Sequence, residues 1–300
     1  MPPFLIPGQK VGVVAPSGVI GLEQMEKLKT GIKIWRDRGY EVEVPDVFPG
    51  WGYLAGSDQQ RRSQLLSAWQ DPEIKAILVA RGGYGITRLL EDWDWQGLPH
   101  KWLIGFSDVT ALLWGMAANR LEGGLHGSVL LTLERQPDWA ISQMFDWLEG
   151  KISEIILQGE GWGGGFSQGR LLPGNLNLVT HLIGTDLIPN WQNIILALED
   201  IAEPPYKVDR MLTQWRMSGL LTRVKGIALG RFSFEPNDRP SLTPSLTMAE
   251  VLADRLENLG IPIVANLPFG HQGDNAPLPV GCNAVLDSNL GKLTLISANS

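Results

Sequence analysis

Short, uninterrupted apolar runs recur through the first 125 residues, and each is followed by a stretch with helical spacing. The runs are "KVGVVAPSG" (10–18), "YEVEVP" (40–45), "KAILVAR" (75–81) and "KWLIGFS" (101–107). Between and after them come "GLEQMEKLKTGIKIWRDRG" (21–39), "DQQRRSQLLSAWQ" (58–70), "GITRLLEDW" (85–93) and "DVTALLWGMAANR" (108–120). Strands of continuous Val, Ile and Leu are buried on both faces, and helices that alternate with them supply the cover. The chain therefore predicts an α/β domain built on a parallel sheet. Such sheets bind ligands beyond the carboxyl ends of their strands. Both "ARGGYG" and "GFSD" lie at strand ends, which puts two candidate functional segments on one rim.

The pattern changes around 137–165, where a helix ("DWAISQMFDWLEG") leads into the glycine-rich, turn-like "SEIILQGEGWGGGFSQG". This predicts an N-terminal domain over 1–150, a linker over 151–164 and a smaller α/β domain over 165–300. In the second half, helices are expected at 177–185, 204–219 and 245–260, and strands at "NIILALED" (193–200), "KGIALGRF" and "IPIVANLPFG". The two prolines at 204–205 suit a helix start and Gly219 a helix end. Paired strands are expected near "APLPVGCNAVLD" and "KLTLIS".

Three hundred residues suffice for two cores, and 44% apolar with 19% charged residues is an ordinary globular balance. A net charge of −7 argues against a phosphate-tracking surface, so no nucleic-acid partner is expected. The single cysteine, Cys282, excludes an intramolecular disulfide and reads as a buried structural thiol. The start, "MPPFLIPGQK", lacks the layout of a secretory signal, and no run reaches the ~18 apolar residues of a membrane span. A cytoplasmic protein with no membrane partner is the expectation. The 12 Trp are many for this length. Those on apparent helix faces (Trp35, Trp69, Trp114, Trp147, Trp215) read mainly as packing.

Ser107 and Asp108 follow a strand and open a helix, where both are ordinary capping residues. Whether Ser107 is more than a cap depends on a base and an acid elsewhere. Of four histidines, His100 reads as a surface loop residue, His181 as packing or a cap, and His126 as a lesser candidate to line a site. His271, in "NLPFGHQGDNAPLPVG", sits just past a strand end among glycines, the position of a general base. "ILALED" ends a buried strand with Glu199-Asp200, and a carboxylate there needs a partner. That partner is either an arginine (Arg210 or Arg170) or an imidazole that the carboxylate orients. Ser107, Glu199 and His271 stand in the chain order Ser, acid, His. "GFSDV" lacks the second glycine of a GxSxG elbow, so an ordinary α/β-hydrolase is not matched. The Asp108 N–H and one from "RGGYG" are available for an oxyanion hole. "RGGYG" does not match a phosphate loop. The residues alone leave two classes open, a serine hydrolase and a two-domain ligand-binding protein.

"VGVVAPSG", "GYLAGSDQQR", "ARGGYG", "GFSDVTALL", "PGNL", "LEDIAEPPYKVDRML" and "GHQGDNAPLPVG" together resemble the LD-carboxypeptidase family. That family comprises murein tetrapeptide carboxypeptidases and the related microcin C immunity serine peptidases. The resemblance runs in order over nearly the whole chain. It implies a flavodoxin-like N-terminal domain joined to a smaller, swivelling β/α domain, usually in a homodimer. It also implies a catalytic triad of Ser107, Glu199 (rather than Asp200) and His271, with the backbone amides of Gly83 and Asp108 as oxyanion donors. Arg81, whose guanidinium can grip a carboxylate bidentately, is a substrate-binding candidate with Tyr84 and Asn175. Its alternative is a structural ion pair. No metal and no cofactor are implied.

Two departures bear on specificity: Ser128 follows "HG" where the family often has proline, and Pro173 precedes "GNL" where it often has glycine. The expected reaction is serine carboxypeptidase cleavage before the C-terminal D-alanine of a muropeptide tetrapeptide, in peptidoglycan recycling. The alternatives are a microcin-immunity-type hydrolase of peptidyl- or aminoacyl-nucleotides, for which Trp51 is the residue to inspect as a purine-stacking group, and a non-catalytic muropeptide-binding protein.

Overall fold

The computed structural model describes residues 1–45, 50–234 and 245–297. It divides into two compact units. The first comprises Met1–Ser153, Gly184–Pro189 and Pro277–Gly281; the second comprises Glu154–Ile183, Asn190–Ala276 and Cys282–Ser300.

The first unit carries β1 (Lys10–Val14), α1 (Met25–Asp37), β2 (Glu41–Glu43), α2 (Asp58–Gln70), β3 (Ile74–Val79) and α3 (Ile86–Leu90). It continues with β4 (Trp102–Gly105), α4 (Thr110–Ala118), β5 (Gly124–His126), α5 (Leu130–Leu133) and α6 (Asp138–Leu148). The five strands are parallel, in the order β2-β1-β3-β4-β5. This is the flavodoxin-like strand order. Val11, Val13, Ile77, Leu78, Leu103 and Ile104 are buried, as an apolar run in a sheet covered on both faces requires. α2 starts with a capping box: Ser57 Oγ accepts from Gln60 N at 3.2 Å, and Gln60 Oε1 accepts from Ser57 N at 2.9 Å. Trp35, Trp69, Trp114 and Trp147 are fully buried, so these helix-face tryptophans are packing.

The second unit carries β6 (Glu154–Gln158), β7 (Glu160–Gly161), β8 (Phe166–Asn175), α7 (Leu176–Leu182), β9 (Ile194–Ile201) and α8 (Pro205–Met217). β10 (Gly226–Ser233), α9 (Met248–Leu256) and β11 (Ile263–Ala265) follow, then strands Asn283–Asp287 and Lys292–Ile296. β8, β9, β10 and β11 are parallel neighbours, flanked by antiparallel strands on both sides. α8 begins on Pro204-Pro205 and is followed by Gly219 in the left-handed conformation, as the sequence predicts. Cys282 is buried, and burial pushes its thiol up to about 12.

Two expectations fail here. The segment 151–164 is not a linker, because it contributes β6 and β7 to the second unit's sheet. Ile155 and Leu157 face inward while Glu154, Ile156 and Gln158 are exposed, a period-two pattern masked by the glycines around it. Two of those glycines mark close backbone approach: a Cβ on Gly159 would stand 2.3 Å from Ala265 O, and one on Gly161 1.6 Å from Ser288 O, whereas Gly163–Gly165 do form a bend. The boundary at 165 and the continuity of the C-terminal domain also fail. Leu278–Pro279 in "APLPVG" is not paired within the second unit but adds an antiparallel strand to β5 of the first, with Leu278 opposite His126. Residues 184–189 likewise belong to the first unit. Among the described residues, no helix is long and apolar enough to cross a membrane.

Candidate active site

In the first unit, β4 ends at Gly105, and the chain turns through Phe106 into a 3-10 turn (Ser107–Val109) that opens α4. Ser107 has φ +64°, a left-handed conformation that costs a serine free energy and persists only where the surroundings enforce it. Gly82 lies against it. A Cβ on Gly82 would stand 2.9 Å from Ser107 Cβ and 3.0 Å from its Oγ, so only glycine leaves this hydroxyl its room. Gly83 has φ +122°, which also favours glycine.

Asp108 is 1% exposed. Its side chain does not cap its own helix. Oδ2 instead accepts from Ser17 Oγ at 2.6 Å and from the backbone N of Ile86 at 3.0 Å, so it ties the loop after β1 and the first turn of α3 to the Ser107 turn. Burial raises its pKa, against the pull of these donors.

Arg81 donates through Nη1 to Val19 O and, at 3.0 Å, to Gln24 Oε1. Neither contact is an ion pair; both anchor the 18–24 loop. Tyr84 is 50% exposed. His126, the lesser site candidate, is buried within β5, its ring edge-on to Phe106 at 5.9 Å. His100 is exposed and accepts from Glu122 N at 3.0 Å. His181, exposed on α7 in the second unit, sits 2.7 Å from Asn177 O.

In the second unit, β8 and β9 end side by side, with Asn175 in register with Glu199. Glu199 is 0% exposed. Its partner is neither Arg210 nor Arg170 but His271, whose Nδ1 lies 2.7 Å from Glu199 Oε2. A buried carboxylate so paired orients the ring and stabilises its charged form. Gly270, at φ +121°, permits the approach, since a Cβ there would stand 3.1 Å from Glu199 Oε2. Burial opposes charging of His271, but the Glu199 carboxylate outweighs it and holds the imidazole above its ordinary value.

Asp200 has other duties. Its Oδ1 accepts from Asn175 Nδ2 at 2.9 Å and Ile201 N at 2.8 Å, and its Oδ2 accepts from Asn177 N at 2.9 Å. Burial, and then the neighbouring Glu199 charge, push it up to about 6. Asn175, expected at the substrate, is instead 3% exposed and engaged at both ends of its amide. Nδ2 reaches Glu199 Oε1 at 3.3 Å as well as Asp200, and Oδ1 accepts from Leu178 N at 3.1 Å as the cap of α7. The sequence signal for this role was present in Asn followed by an apolar helical pattern, an ordinary N-cap signature. Among the described residues, no group of three or more His, Cys, Asp or Glu side chains is placed to hold a metal ion.

Residues 11–127 match the LD-carboxypeptidase N-terminal domain, and residues 168–286 match the LD-carboxypeptidase C-terminal domain. A putative carboxypeptidase of Synechocystis, slr1534, is 50% identical over 294 residues, covering 97% of this chain and 96% of that protein. The chain belongs to the LD-carboxypeptidase family. Family membership makes it a peptidase, a hydrolase of the peptide bond. The crystal structure of muramoyltetrapeptide carboxypeptidase from Oxalobacter formigenes matches with a TM-score of 0.84 at 30% identity, covering 96% of this chain and 99% of that one. MccF in complex with glutamyl sulfamoyl guanosine matches with a TM-score of 0.87, covering 99% of this chain and 98% of that one, and at 19% identity this likeness speaks for the fold alone.

Proposed function

We propose that this LD-carboxypeptidase-family chain is a serine peptidase that removes the C-terminal D-alanine from muropeptide tetrapeptides. The observation that carries the reading is the His271–Glu199 pair, a fully buried carboxylate 2.7 Å from an imidazole in a glycine-flanked loop. As attacking group this reading takes Ser107 of the first unit, a serine in the left-handed conformation at the start of a helix.

In this mechanism Ser107 Oγ attacks the carbonyl carbon of the amide preceding D-alanine, and its proton passes to His271 Nε2. The backbone amides of Gly83 and Asp108 take the oxyanion. As the C–N bond breaks, the imidazolium returns the proton to the amine of departing D-alanine. Water, deprotonated by the same imidazole, then releases the acyl group and restores Ser107. Glu199 holds the ring through Nδ1 throughout, and Asn175 holds Glu199. Arg81 anchors the 18–24 loop through Nη1, and its Nε and Nη2 edge is the candidate grip on the substrate's terminal carboxylate. A cytoplasmic, homodimeric enzyme of peptidoglycan recycling is part of the same proposal.

The test is incubation of purified protein with disaccharide tetrapeptide or free tetrapeptide. Release of D-alanine that disappears in Ser107→Ala supports the reading. Binding without release, or release that survives Ser107→Ala, overturns it.

A further inference from the structure

The tryptophans of the first unit's core are enclosed, but Trp51, Tyr53 and Tyr84 are 57%, 66% and 50% exposed. Tyr53 and Tyr84 come from separate loops, yet their ring centroids lie 5.8 Å apart at an interplanar angle of 57°. Neither ring sits on a loose tip. Trp51 N donates to Leu54 O at 2.8 Å and Leu54 N to Trp51 O at 3.0 Å, which closes the turn that carries Tyr53. Val19 N donates to Tyr53 O at 3.0 Å, and Gly18 N donates to Gly82 O at 3.3 Å. Tyr84 directly follows Gly83. The aromatic pair is thus laced by backbone hydrogen bonds to the loop that packs against Ser107.

The chemistry of this corner selects its ligand. A base sandwiched between side chains needs two parallel faces with a ring's thickness between them, whereas these two rings already touch at a steep angle. A nucleotide's phosphate or sulfamate would also need a cation. The nearby guanidinium groups are engaged elsewhere: Arg88 is held on Asp58 at 2.6 and 3.0 Å, and Arg61, 2% exposed, donates to Gly56 O, Pro16 O, Gly85 O and Asp58. Arg81 holds Val19 O and Gln24 Oε1 through Nη1. A pyranose suits the corner better. Its C–H face is apolar and of ring size, and the hydroxyls at its edge match two phenol groups that can donate or accept.

We propose that the Tyr53–Tyr84 corner is a glycan subsite that takes the amino sugar to which the tetrapeptide stem is joined. The inference deepens the proposed function and rests on it.

Calorimetric titration tests the subsite on the intact chain carrying Ser107→Ala, so that nothing is turned over. Disaccharide tetrapeptide is expected to bind about tenfold more tightly than free tetrapeptide. Adding Tyr53→Ala should bring the ratio close to one, and Tyr53→Phe, which keeps the ring, should retain most of it. Because Tyr53 is exposed, its truncation opens no core, and an unchanged melting temperature checks this. Equal affinities for the two peptides, or a preference that survives Tyr53→Ala, overturn the subsite. So does a Tyr53→Ala variant that loses affinity for an aminoacyl-nucleotide while its glycan preference stands. The two readings fail separately: absent D-alanine release from the serine-bearing protein overturns the proposed reaction, whereas the binding ratio alone decides the corner.

Discussion

His271 Nδ1 lies 2.7 Å from Glu199 Oε2, and this contact sets the charge behaviour of the imidazole. Burial disfavours the imidazolium, but the carboxylate prevails and raises His271 above its ordinary value of 6.5. A general base must be neutral to act, so kcat/KM is expected to rise with pH through an apparent pKa above that value. Glu199→Gln should move this limb to lower pH and reduce kcat by about 10³–10⁴-fold. D-alanine release followed from about pH 5 to pH 9 measures both. A limb that stays in place in Glu199→Gln would assign it to another group.

Ser107 holds a left-handed backbone that glycine adopts without strain. Ser107→Gly is expected to abolish D-alanine release while leaving stability within about 1 kcal/mol of wild type, or above it. Activity and urea denaturation on the same preparation check this. A marked loss of stability would make the hydroxyl structural rather than nucleophilic.

Gly82→Ala places a methyl group 2.9 Å from Ser107 Cβ. The expected result is a fall in kcat of about 10²-fold, the scale of an ångström-sized misplacement of a reacting group. The melting temperature should change little, because Gly82 lies on a partly exposed loop. A variant that melts early would show that the clash is relieved by local unfolding instead.

Asn175→Ala removes the cap on Leu178 N and the donor shared by Glu199 and Asp200. The combined loss of a cap and of a buried hydrogen bond to charge predicts destabilisation of about 2–4 kcal/mol. Equilibrium denaturation measures it. A change under about 0.5 kcal/mol would show that the carboxylates do not depend on this amide.

Burial, and then the Glu199 charge, push Asp200 up to about 6 in the folded chain from its ordinary 3.8. The folded state therefore binds this proton more tightly than the unfolded state does. Ionised Asp200 costs stability: the penalty is absent below the unfolded pKa and grows as pH rises from about 4 to about 6, to the order of 2–3 kcal/mol. Thermal melts across that window should show the decline in wild type and a flatter profile in Asp200→Asn. Equal slopes would place the titration elsewhere.

The parallel sheet of the first unit was legible because its local signals agree. Continuous apolar strands such as "AILVA" and amphipathic helices such as α1 each state their own burial. The candidate residues are legible for a related reason, since polar side chains directly after or near the end of an apolar run stand out: Ser107 two residues past β4, Glu199 near the end of β9, and His271 in the glycine-flanked loop that follows β11. The strands before 165 are hidden in the sequence because Gly159 and Gly161 serve close approach to Ala265 and Ser288, residues far away in the chain. Periodicity within a short window cannot report such contacts.

The amino-acid sequence by itself determined which segments become strands and helices, because burial periodicity and capping are local properties. It also determined which residue types were present for acyl transfer. The resemblance singles out Glu199, but nothing in the local pattern does; only in the tertiary structure does Glu199 turn to His271 while Asp200 turns to Asn175 and Asn177. Both are carboxylates ending one strand, and their environments differ only through the neighbours that β8, α7 and the 270 loop bring. The same holds for Asp108, whose side chain binds Ser17 and Ile86 rather than its own helix. Which of several nearby donors a buried carboxylate takes depends on distances between elements, and those exist only once the chain has packed.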